Sequence, residues 1–103
     1  MVRLHTSEVS AQGKWSEVVR FVNQLGAVIN EIAPEANFQT MSTKYGDTAV
    51  QQLVDSASVT DLDKLMDKVE SDSRHKEATS KYAGQNVFMA GSERTVIYET
   101  TQA

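Results

Sequence analysis

The sequence predicts an α+β fold: one four-stranded antiparallel sheet with helices on one face, threaded in the order β-α-β-β-α-β. Three observations carry this prediction. Apolar and polar residues alternate over residues 2–7, and an apolar stripe at helical spacing runs through residues 14–33. Two β-rich runs then flank Gly46 and Asp47, ahead of a second helical stretch and a last β-branched run.

In the first run Val2, Leu4 and Thr6 share one face and Arg3, His5 and Ser7 the other, the period-two pattern of a half-buried strand. Ser10, Ala11, Gln12 and Gly13 break it. In the helix that follows, Trp15, Val18, Val19, Val22, Leu25, Gly26 and Ile29 keep the i, i+3, i+4, i+7 spacing, and Phe21, Val28 and Ile32 widen the stripe. Gly26 costs about 1 kcal/mol of helix propensity relative to alanine, which implies that another backbone passes close to it. Pro34 closes the helix, because proline disfavours helical geometry at the residue before it.

Residues 36–45 and 48–56 read as two strands joined by a two-residue turn at Gly46-Asp47, a pair suited to positive φ. Such a turn dictates a register. It sets Tyr45 opposite Thr48, Thr43 opposite Val50, Met41 opposite Gln52 and Gln39 opposite Val54 on one face, with Lys44, Ser42, Thr40 and Phe38 opposite Ala49, Gln51, Leu53 and Asp55 on the other. Both faces mix Thr, Gln and Ser with Val, Leu and Met, which suits a wet cavity or a polar subunit contact better than a dry core. The second helical stretch opens at Asp61 with Thr60 as N-cap and buries Leu62, Leu65, Met66 and Val69. It breaks at Glu70, Ser71, Asp72 and Ser73, resumes over 74–83 and stops at Gly84. Val87, Phe88 and Met89 are expected to seek burial, and residues 94–100 form the last strand. Two right-handed crossovers then give the ferredoxin-like arrangement, whose open sheet face calls for a second copy of the chain.

Composition limits the partners. A chain of 103 residues is read as a single domain, 1–103, that buries only roughly 60 to 68% of its unfolded surface as a monomer, so a homodimer is expected. The net charge of -4, with ten scattered basic residues, argues against nucleic acid, which needs clustered Lys and Arg. Without cysteine there are no disulfides or thiolate metal sites. The apolar runs fall far short of the roughly 20 residues that span a bilayer, and no exportable leader precedes the first strand, so a cytoplasmic protein is expected.

The Trp15-bearing first helix, the Tyr45-Gly46-Asp47 hairpin, the strand ending Asp55-Ser56-Ala57-Ser58 before an acidic helix start, and the segment Ser71-Asp72-Ser73-Arg74-His75-Lys76 together resemble the dimeric α+β barrel superfamily. That group includes antibiotic-biosynthesis monooxygenases, haem-degrading monooxygenases and stress-responsive barrel proteins. The resemblance spans nearly the whole chain and lies in its layout. It implies an eight-stranded dimeric barrel with a small-ligand pocket between sheet and helices. Haem-degrading members place an iron-ligating histidine on the later helix, where His75 falls. They also use a first-strand asparagine and a tryptophan near the second helix, whereas this chain has His5 and Ser7 on the first strand and Trp15 as its one tryptophan. No cofactor is therefore expected, and haem is the minor alternative.

The candidate catalytic residues are His5 and His75, since imidazole titrates near neutral pH. Arg74, Lys76 and Glu77 around His75 favour a solvated helix face, and a hydrogen-bonded structural role is the stronger reading of His5. Trp15, His5 and Tyr98 are the candidate ligand contacts, with Gln39, Ser42, Gln51 and Gln52 as neutral hydrogen-bonding groups for a ligand or a subunit contact. The histidines have no third ligand at recognisable spacing, so no metal site is expected. Asp61, Asp63, Asp67, Glu70 and Asp72 alternate with Lys64 and Lys68 in i,i+4 pairs, a solvated face. No phosphate loop or nucleophile elbow occurs. The sequence supports a homodimeric barrel that binds a small organic molecule, with cofactor-independent monooxygenase chemistry as its catalytic form. The alternative is a non-enzymatic barrel acting in assembly or partner binding.

Overall fold

The computed structural model describes residues 1–42 and 48–99. The turn expected at Gly46-Asp47, and the pairs of Thr43, Lys44 and Tyr45, lie outside those residues. The alternating run forms strand β1 (Val2–Val9), and the striped segment forms helix α1 (Trp15–Ile32). Pro34 then starts a single 3₁₀ turn, Pro34–Ala36, before β2 (Gln39–Ser42) and β3 (Ala49–Ser56). Helices α2 (Val59–Ser71) and α3 (Ser73–Tyr82) precede β4 (Arg94–Glu99). The strands form one antiparallel sheet in the order β2-β3-β1-β4, the ferredoxin-like arrangement.

The pairing of β2 with β3 departs from the expected register by one residue. Gln39 faces Leu53, Thr40 faces Gln52, Met41 faces Gln51 and Ser42 faces Val50. A two-residue turn needs an even number of residues between paired positions, and this pairing leaves an odd number between Ser42 and Val50. The face of β3 is set by its longer partner β1, where Leu4 lies opposite Val54 and both turn toward the helices. Since a one-residue shift reverses every side chain, Met41 and Gln39 join Gln51 and Leu53 on the open face instead of facing the helices beside Gln52 and Val54.

Two apolar clusters fill the space between sheet and helices. Val2, Leu25, Ile29, Ile32, Val54, Leu62, Leu65 and Val69 belong to the first. Val18, Val22, Val50 and Val87 form the second, flanked by Trp15, Phe21 and Phe88. Val87 reaches it because its segment docks on the end of β1, where Ala11 N–H donates to Val87 O at 2.8 Å and Met89 N–H donates to Val9 O at 2.8 Å. Met89 itself remains exposed, contrary to expectation. The close neighbour of Gly26 is also not a backbone. It is the ring of Phe38, whose Cε1 would lie 3.3 Å from a Cβ built at Gly26.

Helix α2 starts two residues earlier than expected, with Ser58 as N-cap: its Oγ accepts from Asp61 N–H at 3.1 Å. Thr60 already lies inside the helix. Lys68 pairs with Glu35 at 3.1 Å across to the 3₁₀ turn rather than along its own helix. The break between α2 and α3 is a single residue. Asp72 donates its own N–H to Val69 O at 3.2 Å to end α2, and its Oδ1 accepts from Arg74 N–H at 2.9 Å to start α3. The Arg74 guanidinium also grips this carboxylate, Nη2 to Oδ2 at 2.9 Å.

These bonds hold the Asp72 carboxyl at about 2, below its ordinary 3.8. A carboxyl depressed in the folded state contributes stability above its ordinary value and loses it as pH falls through the folded value. Asp72→Ala is therefore expected to lower the urea midpoint at about pH 7, and to lower it by progressively less between about pH 4 and pH 2. A difference from wild type that stays constant down to pH 2 would contradict this role.

Candidate functional site

On the sheet's helix-facing side, between the apolar pair Leu4–Val54 and Val50, Thr6 of β1 lies opposite Gln52 of β3. Around this pair the layers do not close completely. A cavity of about 100 Å³ remains, floored by Leu4, Thr6, Gln52 and Val54. Leu25 and Ile29 of α1, Ala36 and Phe38 after it, and Leu65, Met66 and Val69 of α2 make its walls. His75 of α3 completes the lining. The half-buried imidazole gets there because the break at Asp72 re-aims the chain, placing His75 on the same inward side of α3 as the buried Ala78 and Tyr82.

The wall carries three polar side chains and no Lys, Arg, Asp or Glu. Thr6 Oγ1 has one long contact, 3.5 Å to Thr95 Oγ1. Among the described residues, the Gln52 amide and the His75 ring make no side-chain hydrogen bond, so both have donor and acceptor capacity to offer. A larger groove of about 640 Å³ runs between α1 and α3, but it is open and edged by Glu31, Arg74, Glu77 and Lys81. Water solvates such a groove. Among the described residues no three His, Asp or Glu side chains converge as a metal site would require.

The other candidates lie elsewhere. His5 and Tyr98 stand on the opposite sheet face, their ring centroids 6.2 Å apart, in an open depression of about 320 Å³ shared with Met1, Arg3, Leu53 and Glu99. His5 Nε2–H donates to Gln51 Oε1 at 2.8 Å. Beside it Arg3 forms a two-pronged pair with Asp55, Nε to Oδ1 at 2.7 Å and Nη2 to Oδ2 at 3.0 Å, which holds the Asp55 carboxyl below its ordinary range. Trp15 packs on the second apolar cluster and edges a shallow groove with Gly13, Thr48 and Met89, away from the cavity. The structure thus gathers His75 with Thr6 and Gln52, and His5 with Tyr98, on opposite sides of one sheet. Thr6 and Phe38 were not singled out as ligand contacts in the sequence. Strand alternation was the available signal for Thr6, since it shares a face with Val2 and Leu4.

A porphyrin does not fit this cavity. Ligands of drug size occupy about 300–1,000 Å³, several times the space beside His75.

Fold and site together define a small α+β protein with a ferredoxin-like sheet, a narrow cavity under its helices and an uncovered sheet face. Solved structures share its fold. A NIPSNAP domain protein from Burkholderia xenovorans superposes with a TM-score of 0.78 at 12% identity, covering 98% of this chain and 95% of that one. A NIPSNAP family protein from Agrobacterium tumefaciens gives 0.76 at 19% identity, covering 97% and 92%. A candidate antibiotic-biosynthesis monooxygenase from Deinococcus radiodurans gives 0.70 at 10% identity, covering 100% and 95%. Identities this low establish a shared fold and nothing further. No protein-family model and no curated protein sequence matches the chain. Among the described residues, no helix is long and apolar enough to cross a membrane.

Proposed function

We propose that this protein binds a small organic molecule in the sheet–helix cavity and pairs with a second copy through the opposite sheet face. The carrying observation is the cavity itself: apolar walls on which three polar side chains, from β1, β3 and α3, converge. The catalytic form of this reading is a cofactor-independent monooxygenase. His75 is the one titratable side chain on the wall; it would take the acidic proton of a bound substrate, and the apolar surroundings would keep water from the resulting anion.

Oxygen uptake by wild type with small phenolic substrates, compared with His75→Ala, tests the catalytic form. The expected result is uptake in wild type and a loss of at least about 100-fold in the variant, the usual scale for a general base. Binding without oxygen uptake in wild type would refute the catalytic form and leave a binding protein. The non-enzymatic reading, a barrel for assembly or partner contact, is favoured by one observation: β4 is exposed along its whole length, with Val96, Ile97 and Tyr98 at 43%, 50% and 54%. Stable self-association with no small-molecule binding would be its signature.

A further inference from the structure

Resting on the cavity as the ligand site, we infer that it selects an uncharged molecule no larger than one six-membered ring, carrying a hydrogen-bonding group, and that the Gly26–Phe38 contact sets that size limit. A dry protein cavity of about 150 Å³ accepts benzene, and the space here is about 100 Å³ with an opening at its rim. A single ring is the most it can take, with one edge at the rim; a fused bicycle is too large.

Charge selection follows from what the wall lacks. A carboxylate or ammonium placed here would lose its water and meet no Lys, Arg, Asp or Glu side chain in return. Arg74, the cation next to His75 in sequence, is already committed to Asp72 at 2.9 Å and Glu31 at 3.8 Å. By contrast Thr6 and Gln52 sit across from each other on neighbouring strands, with His75 reaching in from α3, so a single hydroxyl on the ligand finds both donors and acceptors.

Gly26 decides how much room is left. It is buried in the interior of α1, where glycine weakens a helix, and the ring of Phe38 occupies the space its missing side chain leaves. A Cβ there would stand 3.3 Å from Phe38 Cε1 and 3.6 Å from Cδ1, so alanine displaces the ring by a few tenths of an ångström. Phe38 is itself cavity wall, and the displacement narrows the cavity. Gly26 is thus a specificity-determining position that touches no ligand.

The test is a titration of the full chain with phenol, benzoate, benzylammonium and 2-naphthol, followed by methyl NMR shifts of the cavity residues, in wild type, Gly26→Ala and Phe38→Ala. Phenol is expected to bind wild type and shift the Leu4, Val54 and Leu65 methyls, with both charged probes at least 10-fold weaker and 2-naphthol not binding. Gly26→Ala is expected to weaken phenol at least 10-fold without lowering the melting temperature, which separates a narrowed cavity from a damaged fold. Phe38→Ala is expected to admit 2-naphthol. Benzoate or 2-naphthol binding wild type as well as phenol does, or Gly26→Ala binding phenol unchanged, overturns the selectivity while leaving the cavity as a ligand site. Failure of every probe to shift the cavity methyls in all three proteins overturns the ligand site itself.

Discussion

Truncation of Leu62 to alanine is expected to destabilise the protein by about 3 to 5 kcal/mol, the upper part of the range for buried leucines. Leu62 is 2% exposed and is one of the two largest fully buried side chains. It lies in the first turns of α2, in the same apolar cluster as Val2, Ile32 and Val54. Two neighbouring features prevent collapse around the truncated side chain: the Ser58 cap fixes the start of α2, and the β1–β3 ladder fixes the sheet. A domain of this size has about 5–15 kcal/mol of total stability, so the loss is a large fraction of it. The melting temperature is expected to fall by about 12 °C or more. Val59→Ala, three residues earlier and 48% exposed, is expected to change stability by no more than about 0.5 kcal/mol. Urea denaturation of both variants checks the contrast, and equal losses would mean that α2 does not dock as described.

The second large effect concerns assembly. Replacing Val96 and Tyr98 together by aspartate is expected to turn the proposed homodimer into a monomer, raising its dissociation constant by at least about 100-fold, or about 2.8 kcal/mol. Both side chains stand on the open face, Val96 opposite His5 and Tyr98 opposite Arg3. In the monomer both are exposed, so folding stability changes little. In a two-fold dimer each new carboxylate is buried against the same face of the partner, where desolvation and like-charge repulsion act together. Sedimentation velocity at micromolar concentration reads the outcome. A monomeric wild type, or a variant that remains dimeric, places the subunit contact elsewhere.

Much of this architecture was legible from residue patterns. Alternation in β1 and the stripe of α1 depend on short-range spacing, and so does the break at Asp72, where a capping side chain interrupts an apolar period. The β2–β3 register was not legible, because it hangs on the parity of the connection and on which face of β3 is claimed by β1, a partner some 50 positions away in sequence. Gly26 showed its strangeness but not its neighbour: a helix-interior glycine signals close approach, and only the fold reveals a Phe38 ring rather than a backbone. His75 was obscured by the charges of Arg74, Lys76 and Glu77. The spacing of His75, Ala78 and Tyr82 at i, i+3, i+7 was the signal that it faces inward, and Ala78 and Tyr82 are buried. Trp15 was the opposite case, an aromatic at the head of an apolar stripe that belongs to the second cluster and not to the cavity.

The proposed function divides labour between the two faces of one sheet, with a ligand on the helix side and a second subunit on the other. A crystal structure of the protein grown with phenol tests it most directly. The expected result is a phenol ring between Leu4, Val54 and Leu65 with its hydroxyl in hydrogen-bond reach of Gln52 or His75, and a second chain covering His5, Val96 and Tyr98. A cavity filled by its own side chains, with phenol on the His5–Tyr98 face or absent, would contradict it.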